Sequence, residues 1–289
     1  MKQAISPDSL RDWLSVPADE LASRSRIPVT ILPTPADVHQ RFADDLFAEI
    51  STARAAGEEL HLIVPVGPTG QYPLLAGLVN EASLELDHVT FFGMDEWLDW
   101  ECRPLPLSHR FSLQGTFRRL FIDQLRSALR PPESQIIFPS PFAFEHRVPP
   151  LGEVGAIATT YGGFGYQGHL AFNEPPATRW TPISLAQLRA SRTRIVPIAA
   201  DTLIAHSQRS LGGNAWGIPP MAVTLGMSEL LAARRLRLYT DSGAWKQTIL
   251  RILLFAEPTA DYPATLAAEH PDVHIIADAA SAASPPTDW

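Results

Sequence analysis

Short apolar runs alternate with amphipathic stretches along most of this sequence. Apolar residues recur every four positions between residues 38 and 50, as they do on the core face of a helix. Runs with the length of buried strands lie at residues 29–32, 60–66, 88–93, 154–160, 195–198, 236–240 and 273–277. Strands that alternate with helices pair in parallel through right-handed crossovers. The pattern therefore predicts an α/β protein, a three-layer αβα sandwich with a mostly parallel, Rossmann-like central sheet.

Amphipathic stretches between the predicted strands mark the helices. Thr34 and Pro35 supply an N-cap and a first helical residue for a helix that runs to about residue 56. Further helices are predicted from the turn at 67–70 through residue 79, at 116–129, at 201–209, and from about residue 246 onward.

One large α/β domain accounts for the length of 289 residues, since no break in composition divides the chain. We expect this domain to span residues 27–280. Residues 1–26 form an N-terminal extension that braces the surface, and residues 281–289 are expected to form a loose C-terminal tail.

Composition narrows the class of function. The net charge of −8 argues against broad binding to nucleic acids or anionic membranes, so an anionic ligand needs a locally positive pocket. No apolar run reaches the ~20 residues of a membrane span. Cys102 is the only cysteine, which excludes an intrachain disulfide and favours a cytoplasmic location. The histidines show no metal-binding spacing, so we expect no metal; the sequence leaves a homo-oligomer open.

A glycine-rich segment is the most distinctive part of the chain. Residues 162–175 read Gly-Gly-Phe-Gly-Tyr-Gln-Gly-His-Leu-Ala-Phe-Asn-Glu-Pro. The glycines allow sharp turning, positive φ and close approach of the backbone to a ligand. The segment also carries an imidazole, an amide and a carboxylate, which a turn that serves packing alone does not need.

A formal G-x-G-x-x-G lies within this segment, from Gly163 to Gly168. In dinucleotide-binding proteins a helix begins directly behind these glycines, with its N-terminus on the pyrophosphate. Pro175 and Pro176 interrupt the chain too early for such a helix, and no acidic residue ends a following strand at the expected place. The dinucleotide interpretation is therefore disfavoured.

The same segment resembles the signature of the glucosamine-6-phosphate deaminase (isomerase) family, which is related to the 6-phosphogluconolactonases. That signature usually reads Gly-Gly-x-Gly-x-Asp-Gly-His-Ile-Ala-Phe-Asn-Glu-Pro, and Gln167 stands where the family has aspartate. Residues 67–70, 94–97 and 190–195 match other family motifs. The resemblance implies a phosphosugar substrate. The reaction that it implies most directly is the conversion of glucosamine 6-phosphate to fructose 6-phosphate and ammonia.

Residue roles follow from the resemblance. Asp95 matches the base that removes the proton from C2, and His169 matches the residue that assists ring opening, with Glu174 holding its ring. Gln167 belongs to the same relay; its amide can orient an imidazole but cannot stabilise imidazolium as a carboxylate does. Aldose–ketose chemistry of this kind needs no cofactor.

A strand, a glycine turn and a helix N-terminus at residues 60–79 have the geometry that holds phosphate. The resemblance assigns the sugar phosphate to this turn, at Gly67, Thr69 and Gly70. Pro68 removes one N–H donor from it.

Two further cations complete the expected phosphate site. Lys246 matches a phosphate-binding lysine of the family. The family's phosphate-binding arginine falls at Gln208 in an ungapped alignment, which leaves the adjacent Arg209 as a substitute although neighbouring helix positions point about 100° apart.

Departures from the family pattern keep other functions open. One alternative is a 6-phosphogluconolactonase-like hydrolase, although such enzymes are expected to carry Asp-Glu-Arg at 95–97 and to lack Phe-Asn-Glu-Pro at 172–175. The others are an enzyme for a different phosphosugar and a catalytically impaired sugar-phosphate-binding protein, which Pro68, Gln167 and Gln208 motivate.

Overall fold

A computed structural model of the protein describes residues 5–142, 156–176 and 183–287. The strands of these ranges are β1 (Val29–Leu32), β2 (Leu60–Val64), β3 (Val89–Gly93), β4 (Asp95–Leu98), β5 (Ile136–Ile137), β6 (Thr159–Gly162), β7 (Arg194–Pro197), β8 (Met221–Thr224), β9 (Arg235–Thr240) and β10 (Val273–Asp278).

Helices connect the strands, together with short 3₁₀ turns. They are α1 (Pro7–Leu14), α2 (Leu21–Arg24), α3 (Pro35–Ala56), α4 (Gln71–Ala82), α5 (Leu113–Leu120), α6 (Leu185–Arg189), α7 (Ala200–Ser210), α8 (Met227–Leu230), α9 (Gln247–Phe255) and α10 (Ala279–Ala282). None of the helices described is long and apolar enough to cross a membrane.

Seven parallel strands form the central sheet, in the order β1-β10-β9-β6-β2-β3-β5. Successive side chains of a strand point to opposite faces, and those of β2 enter two different cores. Leu62 and Val64 pack with Val38 and Phe42 of α3, whereas Ile63 packs in the other core with residues of α9. Both faces of the sheet are therefore covered by helices, and the predicted α/β sandwich is confirmed.

Helix α3 shows how local sequence signals set the ends of an element. The Thr34 hydroxyl accepts from the Asp37 N–H while the Asp37 carboxylate accepts from the Thr34 N–H, and Pro35 occupies the first turn. At the other end Gly57 takes the left-handed conformation, with φ of 69°. The helix accordingly spans the residues predicted from the sequence.

A second, three-stranded sheet in the order β4-β8-β7 was not predicted. Its strands are antiparallel, with Asp95 and Arg194 both paired to Thr224 on the middle strand. The strand predicted at 195–198 is present, but in this small sheet. Asp95 is the first residue of β4, because the chain leaves β3 at Gly93 and enters the second sheet within two residues.

Two predicted elements are wrong in their extent. The helix predicted at 116–129 ends at Leu120, where Phe121 leaves helical geometry with φ of −125° and ψ of −69°. The apolar residues Ile122 and Leu129 beyond it remain buried in 3₁₀ turns, so the apolar spacing reflected burial and not a continuous helix. The strand predicted at 154–160 begins only at Thr159; Ile157 and Ala158 are buried but lie before it, and residues 154–155 are outside the described ranges.

The described parts of the N-terminal extension and of the C-terminal segment pack on the domain. Leu14 and Leu21 of the N-terminal extension are buried, in agreement with a bracing role. The expectation of a loose tail from Ser281 is wrong for its first residues. The Arg251 guanidinium donates to the carbonyl groups of Ala282 (3.0 Å) and Ala283 (3.0 Å), and also to that of Val16 in the extension (2.8 Å).

Candidate active site

A cavity of about 560 Å³ opens at the carboxyl ends of β2, β3, β6 and β9, where the following turns converge. This edge is where parallel α/β sheets bind ligands. Nine residues were selected from the sequence, and seven of them line the cavity: Gly67, Thr69, Gly70, Asp95, His169, Arg209 and Lys246. The other two, Gln167 and Glu174, lie outside its lining.

Asp95 and Glu96 are neighbours on β4 with different surroundings. The Glu96 carboxylate accepts from the N–H groups of Trp97 (2.9 Å), Leu113 (2.7 Å) and Gln114 (2.8 Å), so it anchors the start of α5. No group of the described residues donates a hydrogen bond to the Asp95 carboxylate, which borders the cavity and is only 8% exposed. Burial, with Glu96 nearby, raises the pKa of Asp95 to about 8. Asp95 is therefore the carboxyl group available for chemistry.

His169 reaches the cavity because the glycine turn folds tightly beneath it. The Gly165 N–H donates to the His169 carbonyl (2.8 Å), and Gly168 adopts a φ of 63°. The imidazole lies directly against Gly165, where a Cβ would collide with the ring. Burial lowers the pKa of His169 to about 3, with contributions from Lys246 and His206. The ring is thus neutral near pH 7.

Glu174 lies close to His169 and is hydrogen-bonded to the backbone just before α7. Its Oε2 accepts from the Ala199 N–H at 2.6 Å, just before α7. Its Oε1 lies 3.9 Å from His169 Nδ1, longer than a hydrogen bond, and both atoms are buried without a partner. Burial raises the pKa of Glu174. The two side chains are close enough for a small shift to join them.

Gln167 is tied to helix α7. Its Nε2 donates a hydrogen bond to Oδ2 of Asp201, in the first turn of that helix. Where the deaminase signature has aspartate, this chain has an amide. That amide donates to a carboxylate 34 residues further along the chain.

The contact between Gln167 and Asp201 can be tested by replacing the amide with a carboxylate, and then by exchanging the two groups. In Gln167→Glu two carboxylates face each other across a hydrogen-bonding distance, and we expect Tm to fall by a few degrees, or about 1 kcal/mol at this partly exposed site. Adding Asp201→Asn restores a carboxylate–amide pair and should recover most of the loss. Thermal unfolding of the two single variants and the double variant measures this; equal Tm values for Gln167→Glu and wild type would contradict it.

The turn at 67–70 lies beneath one end of the cavity. The Gln71 amide donates to the Pro68 carbonyl (2.9 Å), which ties the turn to the start of α4, and no side chain caps that helix. The His39 ring lies against Gly70 and its Nε2 is 2.5 Å from Oδ2 of Asp241. Backbone N–H groups at such a helix start are suited to an anion.

Lys246 and Arg209 supply positive charge at the cavity. Lys246 is 4% exposed, and its pKa is lowered to about 7 by burial and by Arg209. Among the residues described, neither cation forms an ion pair. Gln208 is exposed and does not line the cavity, whereas Arg209 does. The structure thus brings Arg209, and not Gln208, to the cavity.

The cavity lining also contains residues that sequence reasoning did not select, among them His39, His206, Asp241 and Trp245. Two of them carried a usable signal. His206 lies three positions before Arg209 and so shares its face of α7. Asp241 directly follows the carboxyl end of β9, as the residues at other strand ends do. No group of three or more histidine, cysteine, aspartate or glutamate side chains suited to a metal ion occurs within the described ranges.

Solved structures of two kinds of enzyme share the architecture of this protein. The structure superposes on a monomeric glucosamine-6-phosphate deaminase with a TM-score of 0.73 at 23% identity, over 88% of this chain and 98% of that one. It superposes on 6-phosphogluconolactonase from Trypanosoma brucei with a TM-score of 0.60 at 14% identity, over 88% and 97%. The fold is the α/β fold that both kinds of enzyme share.

Sequence similarity points to one of the two. The chain is 29% identical over 188 residues to glucosamine-6-phosphate deaminase from Caenorhabditis elegans, a match of 64% of this chain and 65% of that protein. It is 27% identical over 259 residues to the glucosamine-6-phosphate deaminase of Beutenbergia cavernae, over 88% and 91%. No protein-family model matches the chain. The protein is thus a relative of glucosamine-6-phosphate deaminases.

Proposed function

We propose that this protein is a phosphosugar isomerase and deaminase that converts glucosamine 6-phosphate to fructose 6-phosphate and ammonia. The observation that carries the proposal is the Asp95 carboxylate, which faces the cavity without a hydrogen-bond donor among the described residues while two cations line the same cavity. A base and an anion site in one enclosed space suit proton transfer next to the carbonyl of a phosphosugar.

Asp95 acts as the base in this scheme. It removes the proton from C2 of the open-chain aldose while the carbonyl oxygen at C1 gains a proton, and it then returns the C2 proton to C1. The nitrogen at C2 gives up one proton in the same rearrangement, which leaves an imine at C2 and a hydroxyl at C1. Water then adds to the imine and ammonia leaves, so that the ketose remains. The ammonium group of a bound aminosugar favours the ionised form of Asp95, which burial otherwise disfavours.

His169 serves ring opening. As a neutral imidazole it can accept the proton of the anomeric hydroxyl and return a proton to the ring oxygen. Glu174 lies 3.9 Å from Nδ1 and can steady the imidazolium that forms transiently. Gln167 contributes no charge to this step, because its side chain is a neutral amide, and the amide nitrogen donates to Asp201.

The phosphate is bound by the cations and by the turn at 67–70. Lys246 and Arg209 contribute positive charge. The turn that contains Gly67, Thr69 and Gly70 contributes backbone N–H groups and a hydroxyl. The same groups bind any phosphosugar, so the identity of the sugar depends on the remainder of the cavity.

The decisive experiment measures ammonia released from glucosamine 6-phosphate by the purified protein. We expect ammonia and fructose 6-phosphate in equal amounts. Hydrolysis of 6-phosphogluconolactone is the comparison, since the fold is shared with lactonases. Lactone hydrolysis without ammonia release would replace the proposal by the lactonase, and phosphosugar binding without either reaction would favour a binding protein.

The pH dependence of kcat/KM for glucosamine 6-phosphate is expected to be bell-shaped, with a maximum between about pH 7 and 8. The rising limb follows ionisation of Asp95, whose pKa is raised from 3.8 to about 8, since only the carboxylate is a base. The falling limb follows loss of the Lys246 charge, whose pKa is lowered from 10.5 to about 7. Bound phosphate keeps Lys246 protonated, so in kcat the falling limb should move to higher pH. A flat profile of kcat/KM across this range would contradict the assignment.

A further inference from the structure

Trp245 lies against both cations of the cavity. The Arg209 guanidinium carbon is 4.5 Å from the centroid of the Trp245 rings, and Lys246 Nζ is 4.2 Å from it. The Tyr166 ring, from the glycine turn that carries His169, stacks on the same indole at 6.0 Å and 26°. A single aromatic side chain thus contacts two separate cations and the catalytic turn.

Within the described ranges no acidic side chain forms an ion pair with either cation. Asp241 lines the same cavity, but its carboxylate is engaged by the His39 ring (2.5 Å) and by the Ser242 hydroxyl (3.0 Å). Two like charges at one end of a cavity repel each other unless something offsets their repulsion. The negative face of an indole attracts a cation within about 6 Å and does so most strongly among the aromatic rings.

Arg209 depends on this contact more than Lys246 does. Lys246 is buried, and it also lies 4.9 Å from the Phe164 ring. Arg209 is exposed, at the end of α7, and a long side chain without a partner samples many rotamers. The indole is the one aromatic ring over which the described structure places its guanidinium.

We propose that Trp245 is a positioning residue for the phosphate of the substrate, whose indole face holds the Arg209 guanidinium beside Lys246 so that both cations meet one anion. The inference rests on the proposed function, because it names the phosphate as the group these cations bind. Trp245 takes the place that an acidic partner has in an ordinary ion pair, without neutralising the charge that the phosphate needs.

Binding of inorganic phosphate and of fructose 6-phosphate, measured by calorimetry, tests this without relying on turnover. Trp245→Leu should weaken both roughly tenfold, and Trp245→Phe, which keeps an aromatic face, should stay within about threefold of wild type. In the Arg209→Gln background Trp245→Leu should add less than about twofold, because the group it positions is gone. Full additivity of the two substitutions, or unchanged binding in Trp245→Leu, would overturn the proposal.

Turnover and a matched control separate this outcome from failure of the proposed function. With glucosamine 6-phosphate, Trp245→Leu should raise KM about tenfold and change kcat less than about twofold. Trp216, which is 99% exposed and does not line the cavity, provides the control, since Trp216→Leu should change neither binding nor KM. If wild type binds phosphate in this Trp245-dependent way but releases no ammonia, the proposed function fails and the positioning role stands.

Discussion

Asp95→Asn is expected to lower kcat for glucosamine 6-phosphate by about 10³-fold while phosphosugar binding stays within a few-fold. The reason is that Asp95 is the one carboxylate of the described cavity without a hydrogen-bond partner, and in the proposed scheme it accepts the C2 proton and does not bind the phosphate. An amide of the same size cannot remove the C2 proton. The measurements are ammonia release for kcat and calorimetry with fructose 6-phosphate for binding.

The same substitution should stabilise the fold at neutral pH. The pKa of Asp95 rises from 3.8 in the unfolded chain to about 8 in the folded protein, so the unfolded chain ionises first as the pH increases. Stability is therefore lost progressively between these two values, and an amide removes this loss. We expect a higher Tm for Asp95→Asn than for wild type at pH 7 and equal values near pH 4.

Glu96→Gln is the control for this prediction. The Glu96 carboxylate accepts from the N–H groups of Leu113 and Gln114 at the start of α5 and from that of Trp97 on β4, so its replacement should lower Tm and leave kcat within a few-fold. An Asp95→Asn enzyme that keeps near-full turnover would remove Asp95 from the mechanism, and a lower Tm in that variant at pH 7 would show that its carboxylate is structural.

Asp95 and Lys246 share a property that supports a functional site. Burial raises the pKa of the acid and lowers that of the lysine, so each charged form is disfavoured by the fold around it. Natural proteins tolerate such a cost mainly where it serves binding or catalysis. Glu96 shows the alternative, since its buried carboxylate is satisfied by hydrogen bonds.

Local signals explain how much of the fold the sequence predicts. The cap at Thr34, the apolar stripe of α3 and the apolar strand runs are encoded within a few residues, so the parallel sheet and its helices follow from them. The small sheet cannot be predicted from local signals, because β4, β7 and β8 have four residues each and their pairing is set by contacts distant in sequence. Four residues are too few to display a periodicity that separates antiparallel from parallel strands.

Sequence rules likewise predict some residues of the candidate site and miss others. Asp95 lies two residues past the end of β3 and Lys246 lies in the 3₁₀ turn after β9, so the edge rule for parallel sheets brings them together. The partner of Gln167 could not be predicted, since Asp201 lies 34 residues away and meets it only through the packing of α7. Trp245 was overlooked because an aromatic residue beside a lysine has no distinctive pattern in sequence.

Lys246→Met is expected to weaken phosphosugar binding by about 2–3 kcal/mol, which is about 30- to 150-fold in KM. Lys246 is buried, has no ion pair in the described structure, and lines the cavity beside Arg209. Methionine fills a similar volume, so the loss reports the charge and not a void. The effect on kcat should be small, because the phosphate contact is made in the ground state and the transition state alike.

The pH dependence of that binding identifies Lys246 as the cause. Because burial and Arg209 lower its pKa from 10.5 to about 7, the free protein loses the ammonium charge as the pH rises above that value. Fructose 6-phosphate should therefore bind more weakly with rising pH in wild type, with one proton taken up on binding, and this dependence should vanish in Lys246→Met. The unfolded chain keeps the proton up to about 10.5, so below about pH 7 the buried cation destabilises the native state, and the variant should there have the higher Tm. Unchanged affinity together with an unchanged pH dependence would show that Lys246 is a buried packing residue without contact to the phosphate.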